Sequence, residues 1–300
     1  MDAWIPVTII AAAAQTIRFV LQKKLSTTRL SAGGATFARF LYSAPLAALL
    51  ALLYSHISDQ PIPTIPPVFW AYALTGGAAQ IIGTNCVVAL FAERNFAVGL
   101  TFKKTEVLMS VLVGILILGE GVTPLGFGAI CLGLVGVFLL SDPPGGTGAW
   151  YLRIINRAAG LGLASGLFFA ISGVGYRGAS LSLASGDAVQ RAIVTLACVT
   201  AAQVGAMILW LFWRERDEIM RVVRAWRMAA LVGLTSLIGS ACWFLAFTLQ
   251  TVAYVNALGQ VELIFALAAS VFVFGEKISG REWQGLAVLT FSILLLVLAT

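Results

Sequence analysis

Ser141-Asp-Pro-Pro-Gly-Gly-Thr-Gly148 is the clearest break in this sequence. Two adjacent prolines remove backbone donors and clash with a preceding helical turn, and three glycines in the same stretch lower helix propensity further. The stretch reads as a linker. Five apolar runs precede it, at roughly 4–23, 34–54, 68–91, 97–118 and 124–140. Five follow it, at roughly 156–177, 188–213, 225–249, 252–274 and 282–299. A membrane-spanning helix needs about 20 mainly apolar residues to cross about 30 Å of hydrocarbon. The runs are too long for barrel strands and lack their two-residue alternation. The expected fold is therefore an all-α integral membrane protein with ten transmembrane helices. The first five-helix repeat covers 1–141, the linker 142–155 and the second repeat 156–300.

Composition agrees. The chain is 60% hydrophobic and 11% charged, against about 25% charged residues in soluble domains. Tryptophan and tyrosine fall near many run ends, among them Trp4, Tyr54, Trp70, Trp150, Trp213, Trp226 and Trp283, as interfacial anchors do. Pro124 fits a first helical turn, and Ser279 with Glu282 fits a capping box. The first run is expected to be a retained helix rather than a cleaved signal. Cys86, Cys131, Cys198 and Cys242 each sit in an apolar run without a CxxC pair, and His56 is the only histidine, so the sequence points to no metal site and no cofactor. It also has no G-x-x-x-x-G-K-[ST] loop for ATP. The net charge of +6 is concentrated in short loops, which fits membrane orientation and argues against a nucleic-acid partner.

The two sets of five align with each other. At an offset of 156, Trp70 meets Trp226, Gly77 meets Gly233, Gly83 meets Gly239, Cys86 meets Cys242, Phe91 meets Phe247 and Glu106 meets Glu262. Gly119-Glu120 likewise meets Gly275-Glu276, and further upstream an offset of 152 pairs Arg39 with Arg191. Because five is odd, the halves of one chain must enter the membrane in opposite directions, giving an inverted repeat. Sorting Lys and Arg by loop puts 13 of the 19 on one side, only Arg177 and Arg191 on the other, and four inside spans. By the positive-inside rule the crowded side is cytoplasmic and both termini face outward.

Leu118-Gly-Glu-Gly-Val-Thr-Pro124 and Phe274-Gly-Glu-Lys-Ile-Ser279 resemble the Gly-Glu signature of the EamA-like branch of the drug/metabolite transporter superfamily. In that family each five-helix half ends its fourth helix this way. The resemblance covers nearly the whole chain. It implies a bundle with a central cavity and alternating access, usually exporting amino acids or other small metabolites. Three features depart from the family pattern. Ala11-Ala-Ala-Ala-Gln-Thr-Ile-Arg18 stands where a Trp-Gly pair is common, Val107 and Leu263 replace the proline that often follows the mid-helix glutamate, and the charge pattern is flipped.

A charge at the bilayer centre costs about 2.5–3.5 kcal/mol on insertion scales, so intramembrane charges need a reason. Glu106 and Glu262 lie near the middle of spans four and nine. They are read either as structural ties between helices or as pathway residues, with Glu262 the proton-coupling candidate because Lys103 adjoins Glu106 at helical spacing. Arg18, Arg39, Lys103 and Lys104 fall in one half of the membrane, either snorkelling to headgroups or forming a basic vestibule. Their sum with the two glutamates is positive and favours a carboxylate or phosphate over a cation. Gln15, Gln80, Asn85, Trp243 and Asn256 complete the candidate pathway set, with interhelical hydrogen bonding and packing as the alternative. Glu120 and Glu276 sit at span ends and read as solvated or structural. No catalytic constellation is present in the sequence. The expected protein is a secondary active exporter of a small polar or anionic metabolite such as an amino acid or organic acid, working by alternating access with proton coupling, as a monomer or homodimer in contact with lipid in a multi-pass bacterial inner membrane setting. The alternative is an intramembrane enzyme or lipid-handling protein with no metabolite flux.

Overall fold

The structure is a computed structural model and describes residues 2–90, 102–140, 157–265 and 280–299. Residues 141–156, which hold the linker 142–155 and Trp150, together with Phe91, the second signature with Gly275-Glu276, and Ser279 lie outside the described residues, as does the side chain of Glu282. No strand occurs among the described residues. Six helices are long and apolar enough to cross a membrane, and four shorter apolar helices accompany them.

In the first half α1 runs Trp4–Thr28, α2 Ala32–Ile57, α3 Pro67–Leu90, α4 Glu106–Leu118 and α5 Pro124–Leu140. In the second, α6 is Arg157–Ser182, α7 Ala188–Arg214, α8 Arg216–Arg224, α9 Trp226–Leu249, α10 Val252–Leu258 and α11 Gly280–Leu298. Apolar side chains cover the outside, with Leu116 at 83% and Leu209 at 74% exposure, which suits hydrocarbon rather than water as the solvent. α8 is the element the sequence reading leaves as loop. Its Glu218 and Val222 are buried on one face while its arginines ride the other.

Helix starts follow local chemistry. The Ser31 hydroxyl caps α2 by accepting from the Gly34 N–H, and the Asp187 carboxylate caps α7 by accepting from the Gln190 N–H. These caps stand 156 apart, the offset of the downstream repeat. Arg39 is therefore the eighth residue of α2 and Arg191 the fourth of α7, so the 152 offset does not put them at equivalent helical positions.

The strongest seams join the halves rather than lie within them: α3 with α6, α1 with α9, α2 with α7, and α5 with α11. Small residues let the backbones approach. A Cβ on Gly175 would stand 2.9 Å from the Gly76 Cα, and one on Gly136 would stand 2.8 Å from the Leu289 backbone nitrogen. The paired glycines of the sequence alignment are used alike. Gly83 of α3 faces Phe169 of α6, while Gly239 of α9 faces Ala14 of α1. Gly77 faces Gln203 of α7, while Gly233 faces Tyr42 of α2. α2 and α7 run antiparallel, since Gly33 lies against Trp210 at one end and the Tyr54 hydroxyl donates to Asp187 Oδ2 at 2.8 Å at the other. α5 and α11 also run antiparallel, from Thr123 beside Ala299 to Leu140 beside Gly285.

Candidate functional site

The two charge-bearing spans are broken within one residue of matching positions. Residues 102–103 are helical, Lys104 and Thr105 form a turn, and α4 begins at Glu106. In the second half α10 stops at Leu258, Gly259 and Gln260 form a turn, and 261–265 are helical again. The bonds across both breaks tighten to three-residue spacing: the Thr105 N–H donates to Phe102 O at 3.2 Å and the Leu263 N–H to Gln260 O at 2.9 Å. Each break delivers a glutamate to the bundle centre.

Around these breaks lies a partly open cavity. Gln15 and Arg18 reach it from α1, Arg39 from α2 and Gln80 from α3. Lys103, Lys104 and Glu106 come from the first break, Trp243 from α9, and Asn256 and Glu262 from α10 and its break. Asn85 does not line it. It sits five residues beyond Gln80, more than a third of a helical turn away from that face, and its Oδ1 is buried without a partner.

Lys103 donates to Glu106 Oε2 at 3.2 Å, and Lys104 donates to Glu262 Oε2 at 3.3 Å. Gln15 Nε2 donates to the same Glu262 oxygen at 3.2 Å. Each glutamate thus has its lysine, so the sequence ground for singling out Glu262 does not carry into three dimensions. The arginines are held differently. Arg18 donates to Gln22 Oε1 at 3.0 Å and Gln15 Oε1 at 3.4 Å. Arg39 donates to the hydroxyls of Ser236 at 2.9 Å, Thr84 at 3.0 Å and Ser240 at 3.3 Å. Thr84 and Ser240 are repeat mates, so Arg39 ties the two halves together. All four cations are buried, with Arg18 and Arg39 at 3% and 4% exposure. Among the described residues neither arginine has a carboxylate within ion-pair distance.

The sequence reading misses Phe169, Tyr176, Phe244 and Gln260, which also line the cavity. The spacing of Phe169, Ser172, Gly173 and Tyr176 traces one face of α6 and is the signal that would have found that wall.

Beyond the cavity, clamps stand at both ends of the bundle. At one, Gly119 ends α4 with φ 68°, a left-handed conformation that favours glycine. A Cβ there would meet nothing within 4 Å, so backbone conformation rather than crowding selects the residue. The turn presents Glu120, which accepts from Arg177 Nε at 2.6 Å. Arg177 Nη1 also donates to the carbonyls of Phe247 at 2.7 Å and Gln250 at 2.8 Å, closing the end of α9. At the other end Glu218 of α8 accepts from the Ser31 N–H at 3.0 Å, and Glu215 accepts from the Ser31 hydroxyl at 2.5 Å, docking α8 on the start of α2.

A family model described as the EamA-like transporter family matches residues 2–142 and again residues 156–298. No curated protein matches the sequence. A solved crystal structure is similar at a TM-score of 0.74 and 14% identity, covering 99% of this chain and 97% of that one.

Proposed function

We propose, from the premise that this chain belongs to the EamA-like transporter family, that it is a secondary active exporter of a small polar or anionic metabolite such as an amino acid or organic acid. Members of the family are transporters rather than enzymes. The observation that carries the reading is the cavity at the paired helix breaks, where buried cations and carboxylates from both halves converge. Broken helices at a repeat interface are a recurrent way for transporters to bring charge and free backbone to the bilayer midplane.

In this reading the ten spans form two inverted five-helix repeats, supported by the antiparallel runs of α2 with α7 and of α5 with α11. The termini face outward and the arginine-rich α8 faces the cytoplasm of a bacterial inner membrane. Access alternates between the two ends. Opening one end parts Arg177 from Glu120 and the α9 carbonyls, and opening the other lifts α8 from Ser31. Where protons drive the cycle, protonation of Glu262 releases Lys104 and Gln15. Each charge moved across the membrane then contributes about 2.3 kcal/mol per 100 mV.

Purified protein in proteoliposomes tests this. Wild type should exchange metabolites that Glu262→Gln does not. Absence of flux for every metabolite tested, with activity on a membrane lipid, would instead make the protein an intramembrane enzyme. A reporter fused after Thr300 should read as external, and a cytoplasmic signal would reverse the orientation.

A further inference from the structure

We infer that the solute is a planar aromatic or heteroaromatic dianion rather than a zwitterionic amino acid; this rests on the transport reading and narrows its substrate class. The cavity has two chemically distinct walls. On one, four cations face two carboxylates, and both carboxylates are already engaged by Lys103 and Lys104. Among the described residues the hydrogen-bond partners of Arg18 and Arg39 are neutral amides and hydroxyls, with Glu262 acting on Arg18 only through space, so the excess of two positive charges falls mainly on this pair. A buried guanidinium bonded only to neutral groups is costly, and its planar fork matches a carboxylate or phosphate. Two such groups ask for two negative charges. An ammonium entering the same space meets net repulsion and finds both glutamates taken, which discriminates against zwitterions.

The rest of the lining is rich in aromatic rings. Trp243 and Phe247 lie with centroids 5.6 Å apart and planes at 23°, and Tyr176 and Phe244 stack at 4.1 Å and 24°. These rings from α6 and α9 line the cavity with an aromatic edge against which another ring packs. Trp243 is fixed by the helix break, because a Cβ on Gly259 would stand 2.6 Å from its ring. The walls meet where Lys103 Nζ lies 5.1 Å from the Phe169 ring centroid and where Arg39 reaches Ser240 of α9, one turn before Phe244. A flat body with acidic groups at its edge spans that junction. Two polar atoms of cavity residues, Trp243 Nε1 and Gln260 Oε1, also lack partners, and ring substituents on the solute can supply them.

Counterflow of labelled terephthalate into proteoliposomes carrying the full chain tests this, with unlabelled benzoate, succinate and phenylalanine as competitors. Terephthalate should be exchanged; benzoate and phenylalanine should be at least about 10-fold weaker competitors than unlabelled terephthalate, since a lost charge-assisted contact is worth roughly 10- to 100-fold, and succinate, which keeps both charges but lacks the ring, should also be weaker. Benzoate or phenylalanine competing as well as terephthalate overturns the inference. Arg39→Gln should cut terephthalate exchange by a similar factor. Arg39→Lys keeps the charge without the fork and should still lose preference for terephthalate over benzoate. Trp243→Leu should bring terephthalate down to the level of succinate, and a retained preference counts against the aromatic wall. Exchange of labelled phenylalanine without terephthalate sinks this inference alone. No exchange of these probes or of a labelled bacterial metabolite extract sinks the transport reading with it.

Discussion

Glu106 and Glu262 occupy matching positions in the two halves, yet they are wired in opposite ways. Glu106 meets Lys103 three residues earlier in its own segment. Glu262 is held by Lys104, 158 residues away, and by Gln15 of α1. The cause is a pair of substitutions at the breaks: where the first half has Lys103 and Lys104, the second has Gly259 and Gln260. The second carboxylate therefore borrows its cation from the first half. A doubled backbone has been given a one-sided chemistry, with α1, α2 and the first break supplying cations while α6 and α9 supply rings.

The largest expected consequence separates the two lysines. A membrane protein unfolded in detergent retains much of its helix, so a pair within one turn persists there while a pair between halves is lost. Lys104→Met should cost about 3 kcal/mol and Lys103→Met about 1 kcal/mol in unfolding from mixed micelles. Equal costs would erase the difference between the two arms. Next comes the clamp that joins the first signature to the second half. Arg177→Gln should cost about 2 kcal/mol and Glu120→Gln less, because only the former strips the α9 carbonyls of their donor; thermal midpoints in detergent give the order. Gly119→Ala should cost about 1 kcal/mol by the same measurement, since its φ of 68° disfavours a side chain.

The smallest effect distinguishes the two matched caps. The Gln190 N–H holds the exposed Asp187 carboxyl below its usual range, with the Tyr54 hydroxyl contributing. A carboxyl lowered in the folded state stabilises above its unfolded value and loses that contribution as pH falls through the folded one. Acidification below about pH 4 should therefore loosen α7 slightly, by less than about 0.5 kcal/mol after screening. Ser31 does not titrate, so Asp187→Ser should remove the acid sensitivity, and an unaltered pH profile would break the contrast.

Much of the fold was legible because it is written in periodicity. Pro124 opens α5 where proline chemistry puts it, and the matched glycines at 77 and 233 reappear at matched seams. The Lys103–Glu106 pair was legible for the same reason, being local. The Lys104–Glu262 contact was not, since nothing in a sequence states which face of one broken helix meets another. Tyr176 stayed hidden because an aromatic in an apolar helix is ordinarily packing, and α8 because nine residues dense in arginine read as a loop. Arg39 was visible as a misplaced charge, but its three hydroxyl partners come from two other helices.

The seams have a bearing on biosynthesis. α3 finds its main partner in α6, α1 in α9 and α5 in α11, so the first 140 residues leave the ribosome with their tightest mating surfaces vacant. Those small-residue grooves must wait in lipid until the remaining segments are inserted alongside them, so neither half should be stable by itself. Assembly is then a late, interlocking event, and a chain severed at the linker should regain its form only when both pieces share one bilayer.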